Sequence, residues 1–251
     1  MNFSRLSFGF FALEIYGVIL AIAFVIATWH YYKTLQDKRF PMDFFLRNFW
    51  KWLISGVVVG RLFSFLLNSD IFMRNGLTSF FEFWDGRINF LGLLVGFLGM
   101  MWWNTKKSKI DFWQWIDGGV KSFFIGILMV DVAAFLTGSI YGKETIMPWG
   151  VQYETFGVDI LMPTHPVALY AFLAHCFVFV WIRNNMKELE RIPGKLALRA
   201  GILLFGIDFL LQFFRGDPTF LVGGTIRIEH IFDVIVIVFL FFIGQRKVAK
   251  F

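Results

Sequence analysis

Arg61, Asp131, Asp208, Arg215, Glu229, His230 and Asp233 lie within or at the edge of strongly apolar stretches, and their side chains are the ones equipped for chemistry. Burying one such group in hydrocarbon costs at least about 2.5 kcal/mol on insertion scales, so each is expected to serve a purpose. A guanidinium can grip a phosphate through two parallel hydrogen bonds. A carboxylate or imidazole can take a proton. Asp208, Gln212 and Arg215 are spaced four and three apart, which places them on one helix face as a polar stripe expected to line a cavity. An internal ion pair, Arg61 or Arg215 with Asp131 or Asp208, explains the same residues as a lock between helices. His230 stands beside Glu229 and three residues before Asp233, a spacing open to a histidine–carboxylate pair. His30 and His175 read as hydrogen-bonded core histidines. Histidines and carboxylates do not otherwise cluster at ligand spacing, so neither a metal nor a cofactor is expected.

The elements that carry these residues must be membrane helices. Of 251 residues 57% are hydrophobic, 35 are phenylalanine, and apolar runs recur from end to end. The runs are close to or above the roughly 17 to 25 residues that cross a hydrocarbon core. The expected spans are Phe8 to Tyr32, Trp50 to Leu67, Ile88 to Trp103, Phe112 to Ile140, Pro166 to Ile182, Ala197 to Phe214 and Ile228 to Gly244. The fold class is therefore all-α: a polytopic membrane bundle of about seven transmembrane helices, forming a single integral-membrane domain over residues 1–251. Asp117, Lys121 and Asp131 interrupt the fourth span, which is expected to be tilted, broken or partly re-entrant. Phe8 to Trp29 is too long for a signal-peptide core and is read as a retained first span.

Lysine and arginine collect after the first, third and fifth spans and at the tail, which puts the N-terminus outside and the C-terminus inside. That bias and contact with anionic lipid account for the +6 net charge, leaving no call for nucleic acid. Trp50, Trp52, Trp102, Trp103, Trp113 and Trp115 are expected to be interfacial anchors. Gly56 with Gly60, and Gly92 with Gly96, should let helix backbones approach closely. The single cysteine, Cys176, falls in an apolar run and is read as packing. A small transporter is the reading from another functional class, but it would show repeated halves with paired broken helices, and the chain has no convincing internal repeat.

One outward segment is more distinctive than a generic loop: Tyr141-Gly142-Lys143-Glu144-Thr145-Ile146-Met147-Pro148-Trp149-Gly150-Val151, followed by Thr164-His165-Pro166-Val167-Ala168-Leu169-Tyr170. It resembles the Tyr-Gly, Pro-Trp-Gly-Val and His-Pro-x-Gln-Leu-Tyr-Glu pattern of bacterial prolipoprotein diacylglyceryl transferases. Tyr16-Gly17, Gly60-Arg61-Leu62, Trp84-Asp85-Gly86 and Phe213-Phe214-Arg215-x-x-Pro218 extend the resemblance in family order along nearly the whole chain. It implies a multi-pass enzyme of the bacterial cytoplasmic (inner) membrane, acting as a monomer at the outer leaflet. The enzyme would move a diacylglyceryl group from phosphatidylglycerol, or a related phospholipid, to the lipobox cysteine thiol of a prolipoprotein.

On this resemblance Arg61 and Arg215, with Gly142 and Lys143, are the expected phosphate and lipid contacts, and Tyr16, Tyr141 and His165 line the same site. The chain also departs from the pattern. Val130-Asp131-Val132-Ala133-Ala134-Phe135 stands where the family has Gly-Arg-x-Gly-Asn-Phe, and Phe90-Leu91-Gly92-Leu93 stands where it has Phe-His-Gly-Gly. Ala168 and Ala171 replace the Gln and Glu of the third motif. Two readings keep the fold. In one, Asp131 or His165 takes the base role while Arg61, Arg215 and Lys143 or Arg87 supply positive charge. In the other, the protein binds lipid or lipoprotein peptide without the standard transfer.

Overall fold

In a computed structural model, residues 5–8, 11–67, 77–81, 88–153, 162–217, 219, 221–222 and 226–248 are described, and among them the fold is helical. Seven α-helices follow in order: α1 (Ile15–Asp37), α2 (Met42–Leu67), α3 (Phe90–Lys107), α4 (Phe112–Thr137), α5 (Val167–Leu189), α6 (Lys195–Leu211) and α7 (Ile228–Val248). They occupy the seven expected spans with shifted ends. Five of them, α1, α2, α4, α5 and α7, are long and apolar enough to cross a membrane by length and composition. The 17 residues of α6 rise only about 26 Å. Large apolar side chains such as Val25, Ile54, Phe177 and Phe239 stand exposed along these helices, as surfaces that face hydrocarbon do.

Two expectations change here. The first span does not begin at Phe8: Arg5–Phe8 (β1) pairs antiparallel with Phe11–Glu14 (β2), Arg5 opposite Glu14, and α1 begins only at Ile15. The 23 residues that follow are already enough to span, which leaves the preceding apolar stretch available for a hairpin. The fourth span is one continuous helix of 26 residues despite its three charged residues. It ends where Gly138 takes a left-handed φ of 65°, a helix stop that glycine adopts without steric cost.

The chain divides into two compact units, residues 1–34 with 116–251, and residues 35–115. In the first, α1 lies against α4 at small residues. A Cβ on Gly119 would meet the Tyr31 ring at 3.4 Å, one on Gly126 would meet Ala27 at 3.4 Å, and His30 is hydrogen-bonded to Ser122 at 2.8 Å. Asp117 on α4 accepts hydrogen bonds from the Gly194 and Ala197 amides at 2.5 and 2.8 Å. A buried carboxylate of α4 thus caps the start of α6, whose own cap residue is a glycine without a side chain. Against α6 lies α7, where a Cβ on Gly201 would come within 2.9 Å of Leu240.

In the second unit α2 and α3 pack through their glycines, as their spacing predicts. A Cβ would come within 2.6 Å of Ile88 at Gly60, within 2.7 Å of Phe63 at Gly92, and within 3.1 Å of the Leu93 carbonyl at Gly56. Ser55 Oγ donates to the Gly96 carbonyl at 3.0 Å, so backbone and small side chains carry this contact. Asn89 caps α3, its side-chain oxygen accepting from the Gly92 amide at 3.0 Å. The tryptophans divide. Trp50, Trp102 and Trp103 are exposed as anchors should be, but Trp52 and Trp115 are fully buried with Phe40, Phe44 and Phe45 in an aromatic core. Their large apolar area is satisfied by ring packing inside the protein rather than at headgroup level.

Candidate active site

Three short stretches of backbone in the first unit are woven together. The Gly142 amide donates to the His165 carbonyl at 3.0 Å, and the His165 amide donates to the Lys143 carbonyl at 3.0 Å. On the other side Lys143 donates to the Phe214 carbonyl at 2.8 Å, and Gly216 to the Tyr141 carbonyl at 3.0 Å. The approach is so close that a Cβ on Gly142 would lie 2.5 Å from that of His165, and one on Gly216 would run into the Gly142 carbonyl. Packing, not positive φ, requires glycine here. A second rung joins Val151 and Thr164, each amide donating to the other's carbonyl at 3.0 Å. The motif read from sequence is therefore a rigid platform.

On this platform the Trp149 indole donates to the Tyr170 hydroxyl at 2.7 Å, and that hydroxyl is bonded to His165 Nδ1 at 3.2 Å. Phe214 closes the group, its ring 5.4 Å from His165 and 6.1 Å from Tyr170. His165 is thus oriented by a defined partner. Tyr153, wedged beside Phe135, is buried, and burial pushes its phenol up to about 12, so it is neutral at physiological pH.

In the same unit, Asp131 of α4 and His175 of α5 form a hydrogen bond of 2.7 Å between Asp Oδ2 and His Nδ1. Both side chains are about nine-tenths buried. A carboxylate on Nδ1 fixes the imidazole's tilt and favours the tautomer in which Nε2 carries the lone pair, the arrangement of a general base. Tyr16, half-buried at the start of α1, and Cys176 both lie within electrostatic range of Asp131. The Asp208 carboxylate in turn lies within range of His175, Arg215 and Glu229.

The third cluster links the ends of α6 and α7. Gln212 Nε2 donates to Asp208 at 3.2 Å, and Arg227 Nε donates to Gln212 Oε1 at 3.0 Å. Arg227 then reaches the Asp217 carbonyl at 2.8 Å and its carboxylate at 3.2 Å. Arg215 holds the same carboxylate with both prongs, Nε to Oδ1 at 2.8 Å and Nη2 to Oδ2 at 2.7 Å. Burial alone would lower the Arg215 pKa, but the hydrogen bonds and charge of Asp217 outweigh it and hold the guanidinium above its ordinary value. Arg227 belongs to β4 (Ile226–Arg227), paired antiparallel with β3 (Leu221–Val222), so a two-stranded ribbon sets its position.

Other candidates have partners that the sequence does not name. Arg61 belongs to the second unit, where it is fully buried on α2 and its Nε donates to the Phe80 carbonyl at 2.9 Å. The polar stripe of Asp208 and Gln212 continues into Arg227, because α6 stops at Leu211 and Arg215 turns to Asp217. His230 makes no carboxylate pair: neither ring nitrogen has a partner among the described residues, and the ring sits against Phe209 and Phe213 at 5.2 and 4.5 Å. The Asp233 carboxyl faces that of Asp208 within hydrogen-bonding reach. Gly142 is buried, Tyr141 half-buried and Lys143 exposed on the platform. Trp84-Asp85-Gly86, Arg87 and Pro218 lie outside the described residues.

His175, Arg227 and Asp217 are the functional candidates the sequence reading passed over. A signal for His175 was present. Two isolated polar groups deep in apolar helices, Asp131 and His175, each need a partner, and each is the other's most economical solution. Arg227 and Asp217 lie outside the apolar runs, where charge is unremarkable from sequence alone.

Known proteins resemble this chain along most of its length. Similar chains include the phosphatidylglycerol–prolipoprotein diacylglyceryl transferase of Wolbachia sp. subsp. Brugia malayi (strain TRS), 27% identical over 86% of this chain and 82% of that one. Those of Wolbachia pipientis subsp. Culex pipiens (strain wPip) and Campylobacter lari (strain RM2100 / D67 / ATCC BAA-1060) are 26% and 27% identical. They are matched over 89% of this chain in both cases, and over 86% and 84% of their own lengths. The model of the prolipoprotein diacylglyceryl transferase family matches residues 4–244, nearly the whole length, and the chain belongs to that family.

Proposed function

We propose that this chain is a multi-pass enzyme of the bacterial inner membrane, N-terminus out and C-terminus in, with all seven helices spanning. It transfers a diacylglyceryl group from phosphatidylglycerol to the lipobox cysteine thiol of a prolipoprotein. The activity for which its relatives are named supports the reaction, and the Asp131–His175 hydrogen bond of 2.7 Å is the observation that carries the assignment to this chain. In the position where the family pattern has arginine, the chain has a carboxylate already coupled to an imidazole.

The reaction requires the thiol to lose its proton as sulfur attacks. Sulfur bonds to the glyceryl carbon bearing the phosphodiester, the carbon–oxygen bond breaks, and glycerol phosphate leaves with the bonding pair. The thiol proton passes to His175 Nε2, and Asp131 stabilises the imidazolium that results. Arg215 meets the phosphate, which competes with Asp217 for its two-pronged face. Arg227 keeps Asp217 in place when the phosphate has Arg215. Tyr16, Tyr141, Gly142, Lys143 and His165 form the outer wall of the same site.

The test is direct. Purified protein, phosphatidylglycerol vesicles and a lipobox peptide are incubated, and the peptide mass is followed, with Arg215→Ala as control. The proposal expects the mass of one diacylglyceryl group on the cysteine, lost in the control. No mass shift under conditions where a relative from the same family is active would overturn it.

A further inference from the structure

In the second unit, between α2 and α3, a cleft of about 550 Å³ opens at the end where α2 begins and α3 finishes. Its rim carries Arg47, Lys51 and Lys107, and among the described residues no carboxylate lines it. That sets it apart from the arginines of the first unit, which are held by Asp217. Arg47 gives Nε to a backbone carbonyl, Asp43 O at 3.2 Å, and Lys51 gives one of its three protons to Asn48 Oδ1 at 3.0 Å. Neither contact cancels charge. The lining groups therefore leave three positive charges around a concave space whose volume suits a small ligand.

We propose that this cleft binds the headgroup of an anionic phospholipid, as a site of its own that does not take part in the transfer reaction. The inference rests on the chain spanning a membrane and not on its catalytic activity. Charge complementarity names the phosphodiester. The depth follows from Trp103 on the cleft wall, which is 63% exposed, and from exposed Trp50 and Trp102 on the same helices, rings that settle at headgroup level. Phe44 and Met100 give the cleft an apolar floor for the glyceryl and first acyl carbons. Asn104 adds a polar, uncharged side chain to the same wall. The ligand is thus an anionic phospholipid.

Native mass spectrometry of the full chain, released from micelles with dioctanoyl phosphatidylglycerol or dioctanoyl phosphatidylcholine, tests this. Wild type should retain one more phosphatidylglycerol than the triple variant Arg47→Gln/Lys51→Gln/Lys107→Gln, whose affinity for that lipid should fall roughly tenfold or more. Phosphatidylcholine retention should be unchanged. The transfer rate measured on the same two proteins should also match, which separates this site from the catalytic one. Equal retention of phosphatidylglycerol by both proteins overturns the proposal, and so does an equal loss of phosphatidylcholine. Displacement of the lipid by excess inorganic phosphate alone would mark a free-anion site and overturn it as well. Lys51→Glu, a single change at an exposed position, should weaken the same lipid at least about threefold, and serves if the triple variant does not fold.

Discussion

At the scale of single residues, the site is a set of charges that have found partners. Arg215 is held at both prongs by one carboxylate, an arrangement lysine cannot reproduce with a single ammonium. Arg215→Lys should therefore keep the positive charge and still lower kcat/KM at least about tenfold, with most of the loss in the affinity for lipid. Kinetics with varied phosphatidylglycerol will show it, and an unchanged kcat/KM would remove Arg215 from the phosphate site. Sequence alone picked out Arg215 and Asp131 because ionisable groups in apolar runs are conspicuous. It offered Arg61 or Arg215 with Asp131 or Asp208 as a pair and so named neither partner found, since Asp217 is two residues beyond Arg215 in a turn and His175 is 44 residues from Asp131 on another helix. A histidine with one hydrogen bond and a histidine coupled to a carboxylate look alike in a list of residues.

Between elements, close approach decides what the sequence must be. Gly142 and Gly216 let the loop after α4 and the turn after α6 run side by side, with His165 pinned between carbonyl and amide partners. Gly142→Ala should cost roughly 1–3 kcal/mol, because backbone and Cβ of His165 must both move, and it should lower transfer through a displaced His165. Thermal unfolding in detergent and the transfer assay together will measure it. A variant with wild-type melting and rate would show that the platform tolerates the displacement. The helices α2 and α3 were legible from Gly56, Gly60, Gly92 and Gly96, because small residues at a spacing of four have few other uses in an apolar helix. Asp117 was legible only as an interruption. Its role as a cap for α6 depends on a contact 77 residues away, and no local pattern encodes that.

For the whole molecule, hydrophobic run length located the seven helices among the described residues, five of them long and apolar enough to cross a membrane. It placed the ends less well. Residues Phe11–Glu14 are apolar enough to read as membrane and instead form half of a hairpin. The distribution of Lys and Arg predicts that cysteines introduced at Lys109 and Arg191 react with a membrane-impermeant maleimide only after the cells are opened, and one at Lys143 reacts in intact cells. The reverse pattern would invert the proposed orientation. The central claim is that Asp131 and His175 act together as the base of a diacylglyceryl transfer, and the transfer rates of wild type, Asp131→Asn, His175→Gln and the double variant test it most directly. Asparagine can still accept the His175 hydrogen bond, so Asp131→Asn changes charge with little change of shape. The account predicts that wild type transfers, that each single variant is about 100-fold slower or worse, and that the double variant is no slower than the worse single one, as groups acting as a unit behave. Single variants that keep the wild-type rate, or losses that multiply in the double variant, would contradict it.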